Sequence, residues 1–98
     1  MANMSDMLRT FVQNTTENIV DKPEEVEVKT TVSTKAVIIQ VRVHDADCGK
    51  IIGRGGRTID ALKVLCLAIK NTQFSNDSRR VMLEILEDEN SQFNYNNQ

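Results

Sequence analysis

The residues best placed to do chemistry stand together in Cys48-Gly49-Lys50-Ile51-Ile52-Gly53-Arg54-Gly55-Gly56-Arg57-Thr58-Ile59. Three glycines fall within four positions, Gly53, Gly55 and Gly56, and Lys50, Arg54 and Arg57 stand around them with no acidic residue between. Glycine lets a backbone turn tightly and lets a partner come close to the main chain. A helix that starts just after such a turn offers N–H groups to an anion. The chemistry implied is the holding of a phosphate-bearing chain. Nothing else in the sequence competes with it. No serine, cysteine or paired carboxylate has a base and an orienting group around it, so catalysis has no candidate site and the chain reads as a non-enzyme. The cysteines, Cys48 and Cys66, match no zinc spacing and read as reduced core thiols. His44, at a strand end, reads as structural.

The bulk composition is less suggestive. The net charge is −2 and the pI about 5.3, poor values for binding a polyanion. The distribution matters more than the total, because the acids gather in 24–27 and 84–89 while 49–57 is purely cationic. Hydrophobic residues make up 40% and charged residues 27%, as in ordinary globular chains, and 98 residues suit one modest core. There is no apolar run near the ~20 residues that span a bilayer and no signal-like N-terminus, so a cytoplasmic protein without membrane contact is expected.

The elements that must position the glycine stretch follow from periodicity. In residues 4–20, Met4, Met7, Leu8, Phe11, Val12, Ile19 and Val20 recur at spacings of three and four, with Thr15 filling a gap; that is an amphipathic helix, capped by Ser5 or Asn3 and ended before Pro23. From Glu24 the period becomes two. Val26, Val28, Thr30 and Val32 alternate with polar residues, Ser33-Thr34-Lys35 is a turn, and Val37, Ile39, Val41 and Val43 share one face of a second strand. These strands form an antiparallel hairpin, with the more apolar second strand central. A short helix opens at Asp45, with Asp45 as its cap and Asp47 in its first turn. A third helix, over 56–70, carries Ile59, Leu62, Leu65, Cys66 and Ile69, widened by Val64, Leu67 and Ala68, and is expected to be buried over much of its surface. Residues 71–78 read as a loop and 79–86 as a third strand, parallel to the second because a helical crossover joins them. The fold class is α+β: a two-layer α-β-β-α-α-β domain over 1–87, with a three-stranded mixed sheet and three helices on one face. Residues 88–98, rich in Asn and Gln, read as a disordered tail.

Three phosphate-binding patterns compete for the glycine stretch. A P-loop needs four residues between its glycines and then Gly-Lys-Ser/Thr after a strand; here the turn follows a helix and no lysine holds the required place. The dinucleotide fingerprint needs glycine or alanine where Thr58 stands, and a strand entering the turn. The third pattern fits. Ile51-Ile52-Gly53-Arg54-Gly55-Gly56-Arg57-Thr58-Ile59 resembles the Ile-Ile-Gly-x-x-Gly-x-x-Ile signature of the KH domain, and the element order matches its bacterial type II form over residues 4–87. More narrowly, Pro23-Glu24-Glu25-Val26-Glu27-Val28 and Asp47-Cys48-Gly49-Lys50-Ile51-Ile52-Gly53 are similar to the small single-domain KhpA-like RNA-binding proteins.

That resemblance implies a single-stranded RNA-binding protein, an RNA chaperone or post-transcriptional regulator, with single-stranded DNA as a further ligand and no cofactor or metal. Its residues carry over position by position. Gly53-Arg54-Gly55-Gly56 would run along the sugar-phosphate backbone of about four nucleotides. Lys50, Arg54 and Arg57 would supply charge, Ile52 and Ile59 would line the groove under the bases, and Gly49 would let a base approach the helix. Ile51 points to the core. The resemblance also implies a homodimer and pairing with a larger KH-containing bacterial partner. The alternative from another class is a protein-interaction or dimerisation module within a larger RNA-binding complex, which the acidic pI and the exposed sheet face favour.

Overall fold

The first helix of the computed structural model, which describes residues 3–86, is α1 (Met4–Ile19). Asn3 provides its cap, its side chain accepting the Asp6 N–H at 2.8 Å. The buried line is Met4, Leu8, Val12 and Thr16. Strict four-residue spacing therefore puts Thr16, not Thr15, in the gap between the apolar residues. Thr16 is fully buried and its hydroxyl has no hydrogen-bond partner among the described residues. Pro23 opens a single 3-10 turn, Pro23–Glu25, at a position where its missing N–H leaves no bond unmade.

The hairpin forms as the alternation predicts. β1 (Glu27–Val32) pairs antiparallel with β2 (Ala36–Arg42), Val28 opposite Val41 and Thr30 opposite Ile39. Ser33 ties the turn: its N–H donates to the Ala36 carbonyl at 2.8 Å, and its Oγ accepts the Ala36 N–H at 3.1 Å. β3 (Arg80–Ile85) lies parallel on the other side of β2, placing Leu83 beside Ile39. The central strand is β2, and its Val37, Ile39 and Val41 are fully buried while Ile38, Gln40 and Arg42 are only partly covered.

The parallel crossover contains α2 (Cys48–Ile52) and α3 (Arg57–Gln73). One core cluster joins Leu8 and Val12 of α1, Ile51 and Ile52 of α2, Ile59, Leu62 and Cys66 of α3, and the inward residues of the strands. All three helices therefore cover the same sheet face, completing the two-layer α+β architecture. α3 runs three residues beyond its expected end and takes in the start of the expected loop. Its burial is the clearest correction. Only Ile59, Leu62 and Cys66 are buried, whereas Val64, Leu65 and Leu67 are 64%, 48% and 43% exposed. A three-stranded sheet shared with two other helices covers one stripe of α3 and has no further surface to offer. Both cysteines are buried, and burial pushes the Cys66 thiol up to about 11, as suits an unreactive core residue. Among the described residues no group of acids, cysteines and histidine could hold a metal ion, and no helix is long and apolar enough to cross a membrane. The expected tail at 88–98 lies outside the described residues.

Candidate nucleic-acid interface

The glycine turn is built from residues that only glycine could replace at two of its corners. α2 ends where the Gly53 N–H bonds back to the Gly49 carbonyl at 2.8 Å. Gly53 then takes φ 75°, and a Cβ there would stand 2.3 Å from Thr58 Oγ1 and 2.9 Å from the Thr58 backbone nitrogen. The residue that rules out a dinucleotide fingerprint is thus the one that requires Gly53. Gly56, buried and left-handed at φ 78°, is the cap residue of α3 and gives it no side-chain acceptor. Its N–H donates to the Gly53 carbonyl at 3.1 Å, and the Arg57 N–H bonds to the Arg54 carbonyl. Internal bonds therefore occupy the N–H groups of Gly53, Gly56 and Arg57. Arg54 and Gly55 stand at the exposed apex between them.

The apex is open as well as polar. Gly55 has φ 63° and would place a Cβ in empty space. Arg54 and Arg57 are exposed on either side of it and form no ion pair among the described residues. The uncapped start of α3 adds its positive dipole end to the two guanidinium groups. Gly49 is exposed on the preceding helix with nothing within 4 Å of where its Cβ would be. The fold does not need glycine there. The isoleucines are placed differently from the cations: Ile51, Ile52 and Ile59 are at most 1% exposed.

Lys50 is brought to the same edge but is already engaged. Its Nζ donates to Asp21 Oδ2 at 2.6 Å and lies 3.7 Å from Asp47 Oδ1. The hydrogen bond it donates to Asp21 and the two negative charges hold its pKa above the usual lysine value. Asp47 was expected to serve the dipole of a short helix, and the structure gives it another task. It is 1% exposed, and its carboxylate accepts the backbone N–H groups of Asp21 at 3.3 Å and Lys22 at 3.0 Å. Burial works against its charge, but these two donors and Lys50 outweigh burial and hold its pKa below the usual value. His44, not Asp45, caps the 3-10 turn Asp45–Asp47, its Nδ1 accepting the Ala46 N–H at 3.0 Å. The contacts of Asp47 with Asp21 and Lys22 join segments 26 and 25 residues apart, and no local sequence pattern reports them.

A basic glycine turn between two helices, within a strand–helix–helix–strand unit on a mixed three-stranded sheet, defines a type II KH fold. The chain belongs to the KhpA/KhpB KH-domain family, whose model matches residues 9–85. It is 40% identical over 81 residues to the RNA-binding protein KhpA of Chlamydia trachomatis serovar D, covering 83% of this chain and 99% of that one. It is 35% identical to the KhpA of Leifsonia xyli subsp. xyli over 82 residues, covering 84% and 100%. With the KhpA of Mycobacterium leprae it shares 41% over 66 residues, covering 67% and 82%. No solved structure matches the chain.

Proposed function

We infer that this chain binds single-stranded RNA through the Gly53-Arg54-Gly55-Gly56 turn. The observation that carries the reading is the apex itself, where two exposed arginines, without carboxylate partners among the described residues, flank an open Gly55 above a helix start with no side-chain cap. The relatives named as RNA-binding proteins support it. In this reading the backbone of the RNA follows residues 53–56, Arg54 and Arg57 meet phosphates with Lys50 beside them, and a base comes against α2 at Gly49. Ile52 and Ile59 hold the turn's floor in place. With no aromatic residue near the turn, bases are held by van der Waals contact and edge hydrogen bonds, and base preference is weak. The role is that of a cytoplasmic RNA chaperone or post-transcriptional regulator, needing no cofactor and catalysing no reaction. Single-stranded DNA fits the same backbone geometry and serves as the competitor that tests the sugar. A salt titration in a filter-binding assay checks the reading: single strands release about 0.7 counterion per phosphate contact, so two to three cations give a log–log slope between about −1.4 and about −2. A flat response speaks for another kind of ligand.

A second copy or a larger KH-containing protein completes the proposal. One KH module has a small footprint, and pairing raises avidity. The observation in favour is the exposed apolar face of α3, Val64, Leu65 and Leu67, which continues to a groove of about 330 Å³ lined by Phe11, Leu65, Ala68 and Ile69. Sedimentation equilibrium is expected to show a dimer that Leu65→Glu dissociates; a monomer at all concentrations removes the homodimer.

A further inference from the structure

Among the described residues Lys50 is the one cation of the 49–57 stretch tied to carboxylates, and the tie is constructed, not incidental. Asp47 is buried, and by accepting the N–H groups of Asp21 and Lys22 it pins the segment after α1 against the start of α2. That pinning sets the Asp21 side chain opposite Lys50, at 2.6 Å. The side chains of Asp21 and Lys50 are 73% and 44% exposed. An exposed pair of this kind is weak enough for a phosphate to displace. Two carboxylates face the single ammonium at the Lys50 corner, whereas Arg54 and Arg57 on the same edge pair with no carboxylate among the described residues.

We propose that Asp21 competes with RNA phosphate for Lys50 and thereby limits how tightly the turn holds its ligand, with Asp47 as the positioning residue that keeps Asp21 in place. This rests on the reading that the glycine turn carries the RNA backbone. When a phosphate reaches Lys50, Asp21 is released to water, and its charge then repels the ligand from the α1 side. Binding through Arg54 and Arg57 alone leaves the Asp21–Lys50 pair intact. The chain thus has a two-cation and a three-cation mode, and Asp21 favours the first.

Asp21→Asn, Lys50→Ala, the double variant and Arg54→Asp/Gly55→Asp are titrated with one labelled single-stranded RNA of mixed sequence at several salt concentrations. Asp21→Asn keeps the backbone donor to Asp47 and is expected to bind about two- to fivefold more tightly, the range of an exposed ion pair. Its salt slope steepens by about 0.7, one added phosphate contact. Lys50→Ala abolishes the whole gain in the Asp21→Asn background, where it costs more affinity than it does in the wild-type chain. Unchanged affinity in Asp21→Asn overturns the proposal, as does a gain that survives Lys50→Ala, which would mark general charge repulsion. Undiminished binding by Arg54→Asp/Gly55→Asp overturns the turn assignment instead, so the two failures are separable.

Discussion

Gly49→Ala separates folding from binding because the two are expected to move in opposite directions. Gly49 is inside α2, and a methyl group at its Cβ position touches nothing within 4 Å. The substitution therefore introduces no clash and reduces the freedom of the unfolded chain. Alanine gains roughly 0.5–1 kcal/mol over glycine inside a helix, and the short first turn of α2 favours the lower figure. At about 0.5 kcal/mol the thermal midpoint rises by roughly 2–4 °C for a domain of this size. The same methyl group occupies the space into which a base is proposed to come. Lifting a base by 0.5–1 Å forfeits about a quarter to a half of each dispersion contact it makes, which amounts to a several-fold loss, up to about tenfold or 1.4 kcal/mol. Thermal unfolding followed by circular dichroism, and fluorescence anisotropy with a single-stranded RNA, read the two effects on one preparation. A variant that is more stable and binds undiminished refutes the approach of a base at Gly49. A variant that is less stable refutes the open environment of that position.

Two further expectations concern the scaffold. Thr16→Val replaces a buried hydroxyl that has no partner among the described residues with a methyl group of similar size, so the urea midpoint should rise by the equivalent of about 1 kcal/mol; a fall shows that the hydroxyl is satisfied. The Asp77 carboxylate accepts the Arg79 guanidinium at 2.6 Å and the Arg79 N–H at 3.0 Å, and Arg79 holds its pKa at about 2 against an ordinary 3.8. A depressed carboxyl stabilises the fold above its unfolded pKa and loses that contribution as pH falls through the folded one. The difference in thermal midpoint between the wild-type chain and Asp77→Asn should thus be full at neutral pH and close as pH falls from about 4 through about 2. A difference independent of pH removes the ion pair as its cause.

The period of the apolar residues was enough to read the hairpin, the central place of β2 and the parallel β3, because strand alternation and crossover topology are local or rule-bound. The glycine stretch was legible for the same reason: Gly53, Gly55 and Gly56 all have the positive φ their residue type suggests. Elsewhere tertiary placement decided. Val64, Leu65 and Leu67 are as apolar as Leu62, yet they face outward, since amphipathic width states what a helix can bury and not how much neighbouring surface exists. Thr16 displaced Thr15 because exact four-residue spacing follows the contact line of α1. Lys50 read as a free cation until Asp21, 29 positions away, was found across from it.

The central claim is that the turn at residues 53–56 carries the RNA backbone, and Arg54→Asp/Gly55→Asp tests it most directly. Gly55 has φ 63° and open space at its Cβ position, so an aspartate there costs roughly 1–2 kcal/mol of left-handed strain without a clash, and Arg54 is exposed. The variant should keep its circular dichroism spectrum and cooperative melting while losing binding to single-stranded RNA in a gel-shift assay. A folded variant that shifts the RNA at wild-type concentrations contradicts the account.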